Sequence, residues 1–273
     1  NTNKCMDDYR SYTSNGTNIQ TFNCTGNSNQ QWYIHPENRS IRSMLDLNKC
    51  LDLDQSNVNN GTNIQLWDCN GTSAQGWLYN GIHKTIHSGA SHKKCLDATN
   101  GAVDPNANVN VQLYDCKYGH PNMRWEIAGA TTVSDPAKVK YIIPVVAGGF
   151  AVHSHSGDKS GSNMQLWTKD NTNEYEQWYF DGLAIKMRNH QDLCIDLYHS
   201  NVANGTNIQL YSCNGSYAQQ WIYDGLTRTI RSVINQDKCM DIKQNSSGVY
   251  GALSNVRIWD CNGSDQQQFL IKE

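Results

Sequence analysis

Apolar and polar residues alternate in short runs along the whole chain, and the runs recur. Asn60 to Trp77 reads NGTNIQLWDCNGTSAQGW; it returns as NGTNIQTFNCTGNSNQQW from Asn15 to Trp32 and as NGTNIQLYSCNGSYAQQW from Asn204 to Trp221. Weaker copies end at Trp125, Trp178 and Phe269, giving six copies with steps of 45, 48, 53, 43 and 48 residues between the closing aromatics. In each copy Asn-Gly supplies a turn that tolerates positive φ, and Asn-Ile-Gln-Leu-aromatic-x-Cys then alternates like a half-buried strand. A second turn leads into Gln-x-Trp and two more strand-like residues, as in Trp32-Tyr33-Ile34. Between copies run a strand signal such as Ser40-Ile41-Arg42-Ser43 and a Lys-Cys-Leu-Asp strand such as Lys49 to Asp52. The pattern predicts an all-β chain with four short strands per repeat and no helix; a period of this size marks a repeat architecture.

The repeats fall into two groups of three. From Gly129 to Ala137 the pattern is lost and Pro136 intervenes, so a linker is expected there. It separates a first domain, 1–130, from a second, 138–273, which opens with the apolar run Tyr141 to Val146. Only four residues precede Cys5, whereas later repeats carry a strand before that position. An upstream segment is therefore expected to complete the first repeat.

Composition narrows the function classes. Only 17% of residues are charged, against about 25% in a typical soluble protein, and Asn, Gln, Ser, Thr and Gly take their place. A net charge of -3 without a Lys/Arg run argues against nucleic acid and against an anionic membrane surface, both of which need a basic footprint. No apolar run approaches the roughly 18 residues of a membrane span, so membrane insertion is not expected. No signal peptide is read in the sequence; a secreted chain would have lost it or would carry it upstream.

Ten cysteines add the strongest compositional signal. Cys5/Cys24, Cys50/Cys69, Cys95/Cys116, Cys194/Cys213 and Cys239/Cys261 fall two per repeat in five of six copies, at separations of 19, 19, 21, 19 and 22. There is no Cys-x-x-Cys, so zinc is a poor reading. Equal pairing within repeats implies five local disulfides and an oxidising compartment. In the fourth copy, counting from Gln165 places Phe150 and Lys169 at the cysteine positions, so both partners are lost together.

Six copies of a Gln-x-Trp type motif in two groups of three, with Met123 and Glu176 in place of the Gln in the third and fourth and Phe269 closing the sixth, with Cys-x-Asp before five of them and internal cysteine spacings near twenty, resemble the lectin chain of ricin and its relatives. The resemblance covers essentially the whole chain. It implies two tandem β-trefoils, each of three four-stranded repeats about a pseudo-threefold axis. The period also fits a six-bladed propeller, but a disulfide in each repeat and the break between the third and fourth copies favour trefoils.

In that family the Trp of Gln-x-Trp is a core residue, and Trp32, Trp77, Trp125, Trp178 and Trp221 are read the same way. The family assigns sugar chemistry to the Asp of Cys-x-Asp, to the Gln and aromatic before the second cysteine, and to the polar pair opening Asn-Gln-x-Trp. The set is physically apt. A carboxylate can accept from two vicinal hydroxyls, an amide donates and accepts, and a ring covers the apolar face of a hexose.

The first copy has every member: Asp7, Gln20, Phe22, Asn29 and Gln30. The second keeps Asp52, Gln65, Trp67 and Gln75 but has Ala74; the fifth mirrors it with Asp196, Gln209, Tyr211, Ala218 and Gln219. The third has Asp97, Gln112, Tyr114 and Asn122, with Met123 in place of the Gln that would steady the Asp. The sixth has Asp241, Trp259 and Gln267, while Arg257 and Gln266 depart from the pattern. In the fourth, Val152 is read at the Asp position and Glu176 replaces the Gln, so no sugar is expected there despite Trp167. Each Asp could equally hold a turn by accepting backbone N–H groups, helped by its Gln.

Other features carry less. His153-x-His155 lies on one strand face, but no third ligand is placed by the sequence, and no metal or other cofactor is expected. Nine Asn-x-Ser/Thr sequons, Asn15 and Asn60 among them, mostly coincide with Asn-Gly turns. No nucleophile and base stand outside the repeated scaffold, and the Asp residues come singly without a partner carboxylate, so no catalytic residue is expected. The expected function is a secreted lectin with several weak sites for terminal galactose or N-acetylgalactosamine. The alternative is the glycan-targeting module of a larger toxin or glycoside hydrolase, with that domain upstream.

Overall fold

The computed structural model describes residues 3–35, 38–99, 108–133, 135–139 and 141–273. Asn1 and Thr2, on which the reading of the chain start rests, lie outside the described residues, as does Ser134 of the expected linker. The chain forms two compact units, Asn1–Ala128 and Gly129–Glu273. Among the described residues there is no α-helix, only strands and single 3-10 turns.

The first repeat contributes strands Lys4–Asp8, Thr17–Asn23, Trp32–Ile34 and Ile41–Ser43, and the second Asp46–Leu53, Thr62–Asp68, Trp77–Asn80 and Thr85–Ser88. Alternation sets their faces. In the second repeat Ile64 and Leu66 are fully buried while Trp67 is exposed on the other face. The turn glycines sit where only their freedom allows, Gly16 at φ +85° and Gly61 at φ +89°.

The second strands of the three repeats pair with one another in a ring. In the first unit Asn18 pairs with Gln65, Asn63 with Gln112, and Asn110 with Gln20. The second unit closes the same way through Asn163 with Gln209, Asn207 with Arg257, and Asn255 with Gln165. These bridges bring asparagine amides from different repeats together: Asn110 Nδ2 donates to Asn63 Oδ1 (2.8 Å), and Asn163 Nδ2 to Asn255 Oδ1 (2.9 Å). Inside each ring lies the core, Ile19, Leu51, Ile64, Leu96 and Leu113 in one unit and Ile195, Ile208, Met240 and Ile258 in the other.

Neighbouring repeats are also clasped at the surface by the turn asparagines. Asn15 Nδ2 donates to Asp68 Oδ2 (2.8 Å), while its Oδ1 accepts from Lys49 Nζ (2.8 Å) and the Asp68 N–H (2.9 Å). Asn60 does the same with Lys94 and Asp115, and Asn204 with Lys238 and Asp260. The five disulfides form within repeats, Cys5–Cys24, Cys50–Cys69, Cys95–Cys116, Cys194–Cys213 and Cys239–Cys261. Each ties the start of a repeat's first strand to the end of its second.

Trp77, Trp178, Trp221 and Phe269 are buried, but Trp32 and Trp125 are only half-buried, which corrects the reading of all the repeated tryptophans as core. The Phe269–Lys272 strand pairs with Tyr141–Pro144 at the opening of the second unit. Trp125 lies outside any strand.

Candidate functional site

The first and second repeats carry the same outward-facing arrangement on their first two strands. Asp7 pairs in register with Gln20, and Cys5 with Phe22; Asp52 pairs with Gln65, and Cys50 with Trp67. Because same-face residues lie two apart, the carboxylate, the amide and the aromatic share one face of the hairpin. The repeated tryptophan holds this hairpin from behind. Its Nε1 donates to the carbonyl of the residue just before the Asp: Trp32 to Met6 (3.1 Å), Trp77 to Leu51 (2.9 Å), Trp125 to Leu96 (3.1 Å) and Trp221 to Ile195 (3.0 Å).

In the first repeat Asp7 is 3% exposed and held by three amide donors. Gln20 Nε2 reaches its Oδ1 (3.0 Å), while Asn29 Nδ2 (2.6 Å) and Gln30 Nε2 (2.9 Å) reach its Oδ2. Gln30 works in both directions, since its Oε1 accepts the Thr25 N–H (2.7 Å) and its Nε2 also donates to the Asn23 carbonyl (2.9 Å). Phe22 stands 36% exposed on the same face. The second repeat repeats the design. Gln65 Nε2 donates to Asp52 Oδ1 (3.2 Å) and Gln75 Nε2 to Asp52 Oδ2 (3.0 Å), beside the exposed Trp67. Burial pushes the Asp52 carboxyl above its ordinary range, against the two amide hydrogen bonds that favour its charged form.

The other repeats are thinner. Gln209 Nε2 donates to Asp196 Oδ1 (2.9 Å), but Gln219 spends its amide on the Ser212 carbonyl (2.9 Å) and the Asn214 N–H (2.8 Å), with no hydrogen bond to Asp196. In the third repeat Gln112 Nε2 reaches Asp97 Oδ2 (2.8 Å), and the Met123 thioether accepts the Lys117 N–H (3.2 Å) as a Gln carbonyl does elsewhere. Asn122 does not join them; its Oδ1 is buried without a partner. In the sixth, Gln267 Nε2 donates to Asp241 Oδ2 (3.1 Å), and Arg257 Nε takes Asp241 Oδ1 (2.7 Å) with its guanidinium 4.1 Å above the Trp259 ring.

The fourth repeat corrects the sequence reading by one residue. Ala151, not Phe150, pairs opposite Trp167 at the first cysteine position, and His153, not Val152, pairs opposite Gln165 at the Asp position. Trp178 Nε1 donates to the Val152 carbonyl (2.9 Å), which fixes the same register. Here the paired residues are 12 apart, whereas Asp and Gln are 13 apart in the first, second and fifth repeats. Counting back from Gln165 therefore overshoots by one residue. His153 is 8% exposed with Nδ1 unpartnered, and burial, then the neighbouring His155, pushes its pKa down. Glu176 Oε1 accepts the Asp170 N–H (2.6 Å), but its buried Oε2 has no partner, and desolvation raises its pKa. An open depression of about 430 Å³ lies beside it, lined by Trp167, Thr168, Lys169, Asp170, Asn171 and Asn173.

One buried acid escaped the sequence reading. Asp8, next to Asp7 but facing the interior, is fully buried, accepts a hydrogen bond from Ser43 Oγ and leaves Oδ1 unpartnered. Burial, reinforced by the charge of Asp7, pushes its pKa up to about 7 against the opposing Ser43 hydrogen bond. Nothing in the sequence marks it, because polar residues are common at strand ends. As for metals, His87, Cys95 and Cys116 cluster, but both sulfurs are in a disulfide and offer no thiolate.

Among curated proteins none matches the sequence. Solved structures similar to the chain include the agglutinin of Abrus precatorius, at 20% identity over 98% of this chain and 92% of that one, TM-score 0.43. Another is a non-toxic homologue of type II RIPs from Momordica charantia in complex with α-methyl-D-galactoside, at 22% identity over 98% and 93%, TM-score 0.41. The C-half of an earthworm R-type lectin in complex with GalNAc covers 50% of this chain and 98% of its own, at 23% identity and TM-score 0.41. The family model of the ricin-type β-trefoil lectin domain matches residues 1–125 and 138–269, and the chain belongs to that family, a carbohydrate-binding and non-catalytic module.

Proposed function

We propose that the protein is a secreted lectin for terminal galactose or N-acetylgalactosamine, with its principal sites in the first and second repeats. One observation carries the reading: Asp7 and Asp52 are nearly buried carboxylates, each oriented by amides on both oxygens, beside an exposed ring on the same face. Of about four lone-pair sites, a carboxylate so fixed keeps one for a sugar hydroxyl at Asp7 and two at Asp52, while Phe22 or Trp67 covers the apolar face of the ring. Fixing it in advance removes the cost of ordering the site on binding. Five disulfides fit an oxidising, extracellular setting, and no helix among the described residues is long and apolar enough to cross a membrane.

A single shallow site of this kind binds at about millimolar, roughly -4 kcal/mol. Two or more sites facing a glycan-dense surface gain on the order of 10² to 10⁴ in avidity. The test is a glycan array with free galactose as competitor, repeated with Asp7→Ala, Asp52→Ala and the double variant. Galactose-terminated binding lost stepwise across the three supports the reading. Binding untouched by the double variant moves the sites elsewhere, and no glycan binding at all refutes it.

A further inference from the structure

The sixth repeat inverts the chemistry of the first two. In those repeats the residue opposite the Asp is a neutral Gln, and the carboxylate is the strongest polar group facing outward. In the sixth that residue is Arg257, and both oxygens of Asp241 are taken, Oδ1 by Arg257 Nε (2.7 Å) and Oδ2 by Gln267 Nε2 (3.1 Å). Asp241 is 1% exposed, and its charge is paired with a cation, where the carboxylates of the first two repeats are held by neutral amides alone. The ring that would cover a hexose face is itself covered, since the guanidinium lies 4.1 Å from the Trp259 centroid.

What remains outward is a fork of donors. A guanidinium has five N–H groups, and the Nε–H is the one spent on Asp241. The Arg257 side chain is still 21% exposed, and Asp241 and Trp259 hold its plane from two sides. Lys243, exposed, follows the end of that strand at Ile242, its N–H bonded to the Asn255 carbonyl (2.9 Å). A rigid, planar, donor-only fork suits a group that only accepts and carries charge, and such pairs are bidentate and stronger than neutral hydrogen bonds.

We propose that the sixth repeat recognises the oxyanion of an acidic glycan, a carboxylate or a sulfate borne by a sugar, with Arg257 as the residue that reads it. The proposal rests on the reading of these hairpins as glycan sites and extends it to a second ligand class.

The full chain is titrated with N-acetylneuraminate and glucuronate for the carboxylate, galactose 6-sulfate for the sulfate, and neutral galactose, by NMR shift perturbation. The acidic sugars are expected to shift the Trp259 indole signal, and the effect to weaken with added salt. Arg257→Gln, which restores the residue of the first, second, third and fifth repeats, is expected to lower acidic-sugar affinity roughly ten- to a hundredfold and to leave neutral binding at Asp7 and Asp52 intact. Arg257→Lys keeps the charge without the fork and is expected to lose most of the same affinity; a thermal melt confirms that both variants fold. Galactose binding with no response to any acidic sugar, or acidic binding unchanged in Arg257→Gln, overturns this proposal alone. Absence of binding to either class overturns it together with the lectin reading.

Discussion

The first and fourth repeats open the two units with the same frame and different contents. Both pin the first strand through a tryptophan Nε1, Trp32 to the Met6 carbonyl and Trp178 to that of Val152. Both anchor the loop before that tryptophan through one side-chain oxygen, Gln30 Oε1 on the Thr25 N–H and Glu176 Oε1 on the Asp170 N–H. In the first repeat the other end of Gln30 donates to Asp7 and to the Asn23 carbonyl; in the fourth a second carboxylate oxygen stands there with no partner. Accepting is thus the structural half of this residue, and donating is the half that serves the Asp. Once Glu removes the donor, a buried Asp opposite would face like charge, and His153 stands there instead. Frame and site are separable, and the fourth repeat keeps the frame without its disulfide.

The largest effect expected from breaking this comparison comes from Asp8, whose place in the fourth repeat is taken by Ser154, also buried but bonded to the Gly157 carbonyl (2.6 Å). A native pKa near 7 against an ordinary 3.8 means that the folded state holds a proton the unfolded chain has released. This contribution is fully present below about pH 4 and is lost as pH rises through about 7, on the order of 4 kcal/mol in all. Asp8→Asn should therefore unfold at higher urea than the parent at pH 8 and show a much smaller difference at pH 4. A parent first unit whose midpoint is flat from pH 4 to 8 would contradict this.

Next in size is the disulfide. Cys5→Ala with Cys24→Ala is expected to cost the first unit about 3 kcal/mol. Ala151→Cys with Lys169→Cys, at the positions the pairing of Ala151 with Trp167 identifies, should raise the second unit's melting temperature once oxidised. Failure of that pair to cross-link would show that the fourth hairpin has diverged beyond its side chains.

Smaller still is the expected binding change. Asp7→Asn keeps size and removes the charged acceptor, and should weaken galactose at the first repeat by about 2 kcal/mol, roughly thirtyfold, in an NMR titration followed at neighbouring amides. His153→Asn in the fourth repeat should leave galactose binding unchanged.

The smallest is Glu176→Gln, which restores the donor and should stabilise the second unit by about 1 kcal/mol at pH 7. Its sign follows from the raised native pKa of Glu176, whose stabilising contribution is present in acid and fades as pH rises through that value. The advantage of the Gln variant should accordingly shrink as pH falls, in paired thermal melts at pH 4 and 7.

The sequence alone determined the periodic part of this protein. Alternation fixes which residues face inward, Asn-Gly fixes the turns, and two cysteines per repeat at offsets of 19 to 22 fix the disulfides, because all three are set by neighbours within a repeat. The ring of second strands and the meeting of Asn63 with Asn110 and Asn163 with Asn255 join residues 47 and 92 positions apart, so only tertiary structure decided them. The same holds for the site. Asp7, Gln20 and Phe22 could be placed on one face by counting, yet a loop shorter by one residue moved the fourth repeat from Val152 to His153. Whether Gln75 reaches Asp52, Gln219 bonds elsewhere than to Asp196, or Arg257 closes over Trp259 depends on side-chain packing, which a repeat motif does not encode.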